Sequence, residues 1–267
     1  MSIHSISKCG RREQNEDCHT IIKNIDGKDK SINNVNLFAV FDGHGGKAVS
    51  KFISNNLPQM FLNKSLEFPI STSYVKTCFK NLQQILKTNH EDIADYAGST
   101  CLIALEYILN DKRYLDIYNL GDSRMILCKK SEAHIITKDH KPNWPDEQSR
   151  IEKIGGKIYF DGYDWRIGDL SVSRAFGDLD NAPYISCKPD IFRYKISKND
   201  KFFILACDGL WDVIDNQEAV NFILEKCYDK TTDERINKNL NIARALAEYA
   251  YNKESLDNIT IIVVFLK

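Results

Sequence analysis

Apolar, β-branched and aromatic residues gather along this chain into strand-sized runs: VNLFAVF, TCLIALEYI, RYLDIYNL, RMILCKK, AHIIT, KFFILAC and NITIIVVFL. Several stop at Gly, Asp or Asn, residues that turn a chain out of a sheet. Between these runs the apolar positions recur at helical spacing. Val49, Ile53, Leu57 and Phe61 predict a helix within 46–63, and Tyr74, Cys78, Leu82, Ile85 and Leu86 predict a second. The segment PDEQSRIEKIGG reads as a third, beginning near Pro145 and stopping at Gly155-Gly156. Two more fit 216–228 and 233–251, the last carried by Ile236, Leu240, Ala243, Leu246 and Ala250. The runs at 101–108, 113–120 and 124–129 follow one another across short polar breaks, which is a meander and favours an antiparallel sheet. The helices fall before, between and after the strand groups, so they must cover the sheets from outside. Neither a linker nor an internal repeat interrupts the pattern, so one domain over 1–267 is expected. The least regular stretch, GGKIYFDGYDWRIGD at 155–169, reads as a surface loop of the sort that often carries function.

Composition narrows the classes. The 267 residues hold 36 Lys plus Arg against 37 Asp plus Glu, a formal net charge of -1. That balance lacks the basic excess of a nucleic-acid binder. No run approaches the ~20 apolar residues that span a bilayer, the N-terminus lacks a signal-peptide core, and Ser2 stands where myristoylation needs Gly. Eight cysteines occur without a C-x-x-C pair, several inside apolar runs. Free thiols in a reducing compartment are the expectation, with the cytoplasm as first address and the nucleus as second. A monomer that binds neither membrane nor nucleic acid is the default.

The informative feature is where the acids fall. VNLFAVF runs into Asp42-Gly43-His44, YLDIYNL into Gly121-Asp122, and KFFILAC into Asp208-Gly209-Leu210-Trp211-Asp212. Asp257 directly precedes the last strand, and Glu16 and Asp17 close RREQNED. A single D-G is ordinarily a turn former. Together these seven acids would bring seven negative charges to one place if they converge. Two carboxylates at 4 Å repel by about 4 kcal/mol at an effective dielectric of 20. Two or three divalent ions would nearly neutralise such a set, and oxygen-only donors select Mg²⁺ or Mn²⁺ over Zn²⁺.

RREQNED, FDGHGG, GST, NLGDSR, DHKP, RIEKIGG, LSVSRAFGD, CDGLWD and LDN occur in the order found in the metal-dependent serine/threonine phosphatases of type 2C, which the chain resembles from about Gly10 to Phe265. Any one of these motifs is weak; nine in order are specific. The resemblance implies an α+β, four-layer α-β-β-α sandwich with two packed, mainly antiparallel sheets. It implies that Asp42 bridges two ions, that the Gly43 carbonyl binds one of them, and that Asp208 and Asp257 hold the other. Glu16 and Asp17 would act through metal-bound waters, while Asp122 and Asp212 match a third, weaker site. Arg12 has the family spacing of the phosphate-binding arginine, four residues before Glu16, which leaves Arg11 as a solvated neighbour.

The reaction so implied is hydrolysis of phosphoserine and phosphothreonine in phosphoprotein substrates. Two metals about 3.5–4 Å apart would activate a water, and Arg12 would offer a planar fork to the phosphate. His44 is the candidate general acid, since nearby carboxylates favour the imidazolium. His140 in DHKP reads as a turn anchor, and His4, His19, His90 and His134 show no ligand spacing. One departure from the family is visible. Trp165-Arg166-Ile167-Gly168-Asp169-Leu170-Ser171 is about one residue short where relatives form a flap beside the cleft, which puts substrate choice in question. Trp165 and Tyr163 there are candidates for peptide contact, although anchoring the loop is the commoner role.

Two rivals remain. Cys187 and Arg193 have the C-x5-R spacing of cysteine-dependent phosphatases, but the stretch has no Gly, a Pro without N–H and an internal acid. The G-D-x-x-D-R-G and G-N-H-E pattern of other dinuclear phosphoesterases is missing. An inactive pseudophosphatase serving as a scaffold should have lost metal acids, and none is lost.

Overall fold

A strand that is apolar on both faces must be covered on both, and the longest runs of this chain meet that requirement by lying inside a stack of layers. The protein is described here by a computed structural model, which covers residues 1–25, 32–62 and 66–266. Among these residues, ten strands form two five-stranded antiparallel sheets. They are β1 (Ser2–Lys8), β2 (Cys18–Ile25), β3 (Ile32–Phe41), β4 (Cys101–Leu109) and β5 (Lys112–Leu120), followed by β6 (Arg124–Lys129), β7 (Glu132–Ile135), β8 (Asp190–Lys195), β9 (Asp200–Ala206) and β10 (Ile259–Phe265). One sheet has the order β1-β10-β9-β6-β7 and the other β8-β5-β4-β3-β2. Five longer helices accompany them, α1 (Ala48–Met60), α2 (Thr72–Asn89), α3 (Pro145–Lys153), α4 (Asn216–Cys227) and α5 (Ile242–Asn252), besides single helical turns at Glu91–Ala94 and Asp208–Trp211.

The side-chain alternation of a strand sorts each run between two interfaces. Phe38 and Val40 of β3 and Leu102 and Ala104 of β4 meet Phe203, Leu205, Ile262 and Val264 in the core between the sheets. Phe38 and Phe203 meet there edge to face, with centroids 5.6 Å apart. The intervening residues Leu37, Ala39 and Phe41 point outward against α1 and α2. On the opposite side, Ile204, Ala206, Ile261 and Val263 pack beneath α4 and α5. The result is the expected α-β-β-α sandwich.

Three readings of the sequence change. Strands β1, β2 and β8 were not among the apolar runs, and all three are sheet edges. An edge strand has a neighbour on one side only, so its residues need not be continuously apolar. The last helix begins at Ile242 and not near residue 233. The Asn241 side chain caps it by accepting from Arg244 N–H, and Ile236 is left exposed outside it. Finally, 155–169 contains a small hairpin in which Tyr159–Phe160 pairs with Trp165–Arg166. A reciprocal pair of backbone hydrogen bonds between Ile167 and Leu170 then closes a two-residue turn at Gly168-Asp169.

Candidate metal centre and active site

Strand register brings the acids together. β2 begins where β3 ends, with Cys18 opposite Phe41, so Asp17 and Asp42 emerge side by side. β9 ends opposite the start of β6, with Ala206 facing Arg124, and opposite Ile261 of β10. Asp208 therefore leaves the sheet next to Asp122, which precedes Arg124, and Asp257, which precedes β10. The turn holding Asp122 also crosses from one sheet to the other, so acids from both sheets share one end of the sandwich.

Carboxylate oxygens of Asp42, Asp122 and Asp208 lie within 4.8 Å of one another, as do ligand atoms of Asp17, Asp42 and Cys207. Asp42 belongs to both groups. Its backbone is fixed by Thr100, whose N–H donates to Asp42 O at 2.8 Å and whose hydroxyl accepts from Asp42 N–H at 3.2 Å. The next residue must be glycine, because a Cβ on Gly43 would stand 2.5 Å from Glu16 O and 2.8 Å from Ser50 Oγ. Above the acids opens a cleft of about 730 Å³, lined among others by Arg12, Glu16, His44, Asp208 and Asp257. Asp212 is exposed, outside that lining, and close enough for its charge to act on Asp208. All seven predicted acids are thus at one end, with Asp212 at the margin.

The electrostatics are those of crowded, mutually repelling acids. Burial, reinforced by the charges of Asp208, Asp17 and Asp122, raises the Asp42 carboxyl well above the ordinary carboxylate range. Burial and the neighbouring Asp122 and Asp212 do the same to Asp208. Asp17 is pushed up to about 6, chiefly by burial. Asp17 is 2% exposed, and neither of its carboxylate oxygens makes a well-formed hydrogen bond, although the Thr260 and Cys207 side chains lie near enough to favour its ionised form. A buried, unpartnered carboxylate facing other carboxylates fits hard divalent cations, as does the mainly oxygen donor set. The Cys207 thiol at the back is raised well above its usual range by burial and accepts a hydrogen bond from Thr260 N–H.

The cationic residues divide by partner. Arg12 lies exposed at the cleft rim, with Nη2 2.7 Å from Asp257 Oδ2 and Nε donating to Leu256 O. Arg11 is more than a solvated neighbour: it donates to Tyr251 O and sits over the Tyr251 ring. His44 Nε2 meets both oxygens of buried Asp178, at 2.8 and 2.9 Å. Burial works against the His44 imidazolium, but the charge and hydrogen bond of Asp178, with Asp122 and Glu16, outweigh it and raise the imidazole above its ordinary value. Gly98 makes this approach feasible, since a Cβ there would lie 2.2 Å from Asp178 Oδ2 and 2.4 Å from His44 Nε2.

Three site residues escaped the sequence reading. Asp178 lay unread inside LSVSRAFGD. Lys141 pairs with Asp122 at 2.5 Å. Asn258 accepts from Glu16 N–H and donates to Cys9 O and Gln14 O, tying the loop that bears Arg12 and Glu16 to the last strand. Their motifs were visible, but each partner is remote in sequence. His140 is the turn anchor expected: its Nδ1 accepts from Gly121 N–H and its own N–H donates to Gly121 O. The Cys187–Arg193 spacing makes no phosphate loop, because Arg193 lies on β8 and forks onto Asp116. Arg166 and Asp169 of the hairpin region line the cleft, while Tyr163 is 90% exposed at the hairpin tip.

The sequence model described as protein phosphatase 2C matches residues 1–259. An integrin-linked kinase-associated serine/threonine phosphatase 2C of Homo sapiens is 37% identical over 289 residues, covering 96% of this chain and 70% of its own length. Probable protein phosphatase 2C 59 of Arabidopsis thaliana is 36% identical over 260 residues, covering 97% of this chain and 77% of its own. A solved phosphatase from a pathogenic strain of Toxoplasma gondii superposes with a TM-score of 0.79 at 26% identity, over 98% of this chain and 92% of that one.

Proposed function

The chain belongs to the protein phosphatase 2C family, and on that premise we propose that it hydrolyses phosphoserine and phosphothreonine monoesters in proteins with the help of divalent metal ions. The observation that carries this reading is the convergence of Asp17, Asp42, Asp122 and Asp208 beneath an open cleft, with Asp17 unpartnered. Asp42, shared by both ligand groups, is suited to bridge two ions. Gly43 O, Asp208 and Asp257 would complete the direct ligands, with Glu16 and Asp17 behind them. Mg²⁺ or Mn²⁺ bound there would supply Lewis acidity and a water acidified to near-neutral pH.

The chain's own groups then bind phosphate and move a proton. Arg12 stands at the rim with a planar fork, which can grip two phosphate oxygens where a lysine would offer a point charge. Asp178 takes the hydrogen bond from His44 Nε2, which leaves Nδ1 to give a proton to the departing serine or threonine oxygen. Asp178 thereby orients the ring and stabilises its charged form.

The test is turnover of a phosphoserine peptide and of an aryl phosphate with Mn²⁺, with and without EDTA. Expected are metal-dependent turnover of both and, in His44→Gln, a fall of roughly 10²–10⁴-fold on phosphoserine but a much smaller one on the activated aryl ester. Equal losses on the two substrates would remove His44 as the proton donor. Metal-independent turnover would reject the chemistry, and no turnover at all would favour a scaffold on the same fold.

A further inference from the structure

Asp122 is 2% exposed, and its one cationic partner among the described residues is Lys141. The contact is built into the fold. Lys141 follows Asp139 and His140, and both are laced to the turn that carries Asp122. Asp139 receives a two-pronged hydrogen bond from Arg124, at 3.0 and 2.6 Å. His140 exchanges two hydrogen bonds with Gly121, and its Nε2 stands 3.2 Å from Asp190 Oδ2. Asn119 of β5 reaches the same loop by donating to Lys138 O at 3.0 Å. Lysine and acid are thus held on two loops clamped to each other, with the ammonium brought to the edge of the Asp42–Asp122–Asp208 group.

An ammonium and a divalent ion cannot both occupy the same face of one carboxylate. We infer that Lys141 is the resident cation of Asp122 and competes with a further divalent ion there, so that it sets the metal concentration at which that position fills. The inference rests on the metal-binding reading of the cleft. Asp42 and Asp208 make no ion pair with a lysine or arginine among the described residues, and the one such pair on the other proposed direct ligands, Arg12 with Asp257, is made by an exposed side chain at the rim. The fold therefore grades its own metal positions, leaving Asp42 and Asp208 open and guarding Asp122.

Mn²⁺ titration of the full chain, followed by the free-Mn²⁺ electron paramagnetic resonance signal, tests this. The expected wild-type result is a tight class and a weaker one, the weaker lost in Asp122→Asn. In Lys141→Gln the weaker class tightens by roughly ten-fold or more, the scale of a charge-assisted contact, while the tight class moves less than about three-fold. Lys141→Arg, which keeps the charge, retains the wild-type weak class. A weaker class that ignores Lys141→Gln, or loosens in it, overturns the inference while leaving the tight class and metal-dependent turnover intact. Failure of the wild type to bind Mn²⁺ at all would instead overturn the metal-binding reading and the inference with it. The wild type offers a second readout that needs no variant to fold. The Lys141 Nζ NMR signal should shift at the Mg²⁺ concentrations that fill the weaker class, and a shift confined to the tight class would also defeat the inference.

Discussion

Two sets of buried or half-buried acids divide this molecule. Away from the cleft, Glu106, Asp116 and Glu147 are all nearly inaccessible, and each is gripped by arginine: Glu106 by Arg113, Asp116 by Arg193, and Glu147 by both Arg150 and Arg174. In the cleft, Asp17, Asp42 and Asp208 are equally remote from such partners. The charge environments are opposite in consequence. Although burial opposes it, the hydrogen bonds and charges of Arg174 and Arg150 hold Glu147 down at about 2, whereas Asp17 is pushed up to about 6. One chain has thus solved the problem of a buried carboxylate with its own guanidinium groups in one region and left it open in another. Acids left unpaired in a fold that elsewhere pairs them are the physical mark of a site meant for an external cation.

The largest test of that contrast replaces one acid from each set. Asp42→Asn should abolish turnover by more than about 10³-fold, since it removes a ligand shared by both groups. The same change should raise the melting temperature of the EDTA-treated protein by about 2–4 °C, because it relieves repulsion. Glu147→Gln should do the reverse: it should cost about 3–5 kcal/mol of stability by removing the buried charge that Arg150 and Arg174 share, with turnover per folded molecule little changed. Calorimetry and single-substrate kinetics on the two variants decide the matter. A metal-free Asp42→Asn protein less stable than wild type would break the comparison.

A titration sharpens it. Glu147 is held below its unfolded value, so its stabilisation is present above about pH 4.3 and disappears as the pH falls through 2. Asp17 is held above its own, so its contribution is present below about pH 3.9 and is lost as the pH rises through 6. Urea midpoints in EDTA should therefore fall between pH 4 and 6.5. With saturating Mg²⁺ the fall should vanish or invert, because the ion favours the ionised acids. An EDTA profile that is flat across that window would mean the cleft acids are neutralised by some other route.

How much of this could be seen in the sequence follows from the range over which each feature is written. β3 was legible because VNLFAVF is buried on both faces and so is apolar throughout. β1, written SIHSISK, was not, since its identity as a strand comes from pairing with β10 more than 250 residues away. The acids were legible as a set because each sits at the end of an apolar run, while their convergence depends on register, as when Cys18 meets Phe41. Asp178 was illegible: it meets His44 across 134 positions, and its left-handed backbone within the GD pair is a signal that many ordinary turns share. Lys141 was hidden for a different reason. It lies in a recognised motif, yet nothing in DHKP states that its ammonium reaches Asp122.

The smallest expected effect isolates burial from pairing, and two adjacent residues of α3 make the control. Asp146 precedes Glu147 and also has a cationic partner, Lys138 at 2.8 Å, but its side chain is 78% exposed. An ion pair in water gains little, because solvent already stabilises both charges and the long side chains lose freedom in meeting. Asp146 also lies in the first turn of its helix, where a negative charge adds about 0.3–1 kcal/mol. Asp146→Asn should therefore cost only about 0.5–1 kcal/mol, measured by urea denaturation, against the much larger loss in Glu147→Gln. Lys138 is not stranded by the change, since its ammonium also lies over the Trp144 ring at 5.2 Å. If the two neighbouring substitutions cost the same, pairing alone would govern these acids, and the unpaired state of the cleft would lose its meaning as the sign of a cation site. If they differ as expected, desolvation is what makes an absent partner costly, and Asp17, buried with no well-formed hydrogen bond to either oxygen, is the residue at which a cation has most to relieve.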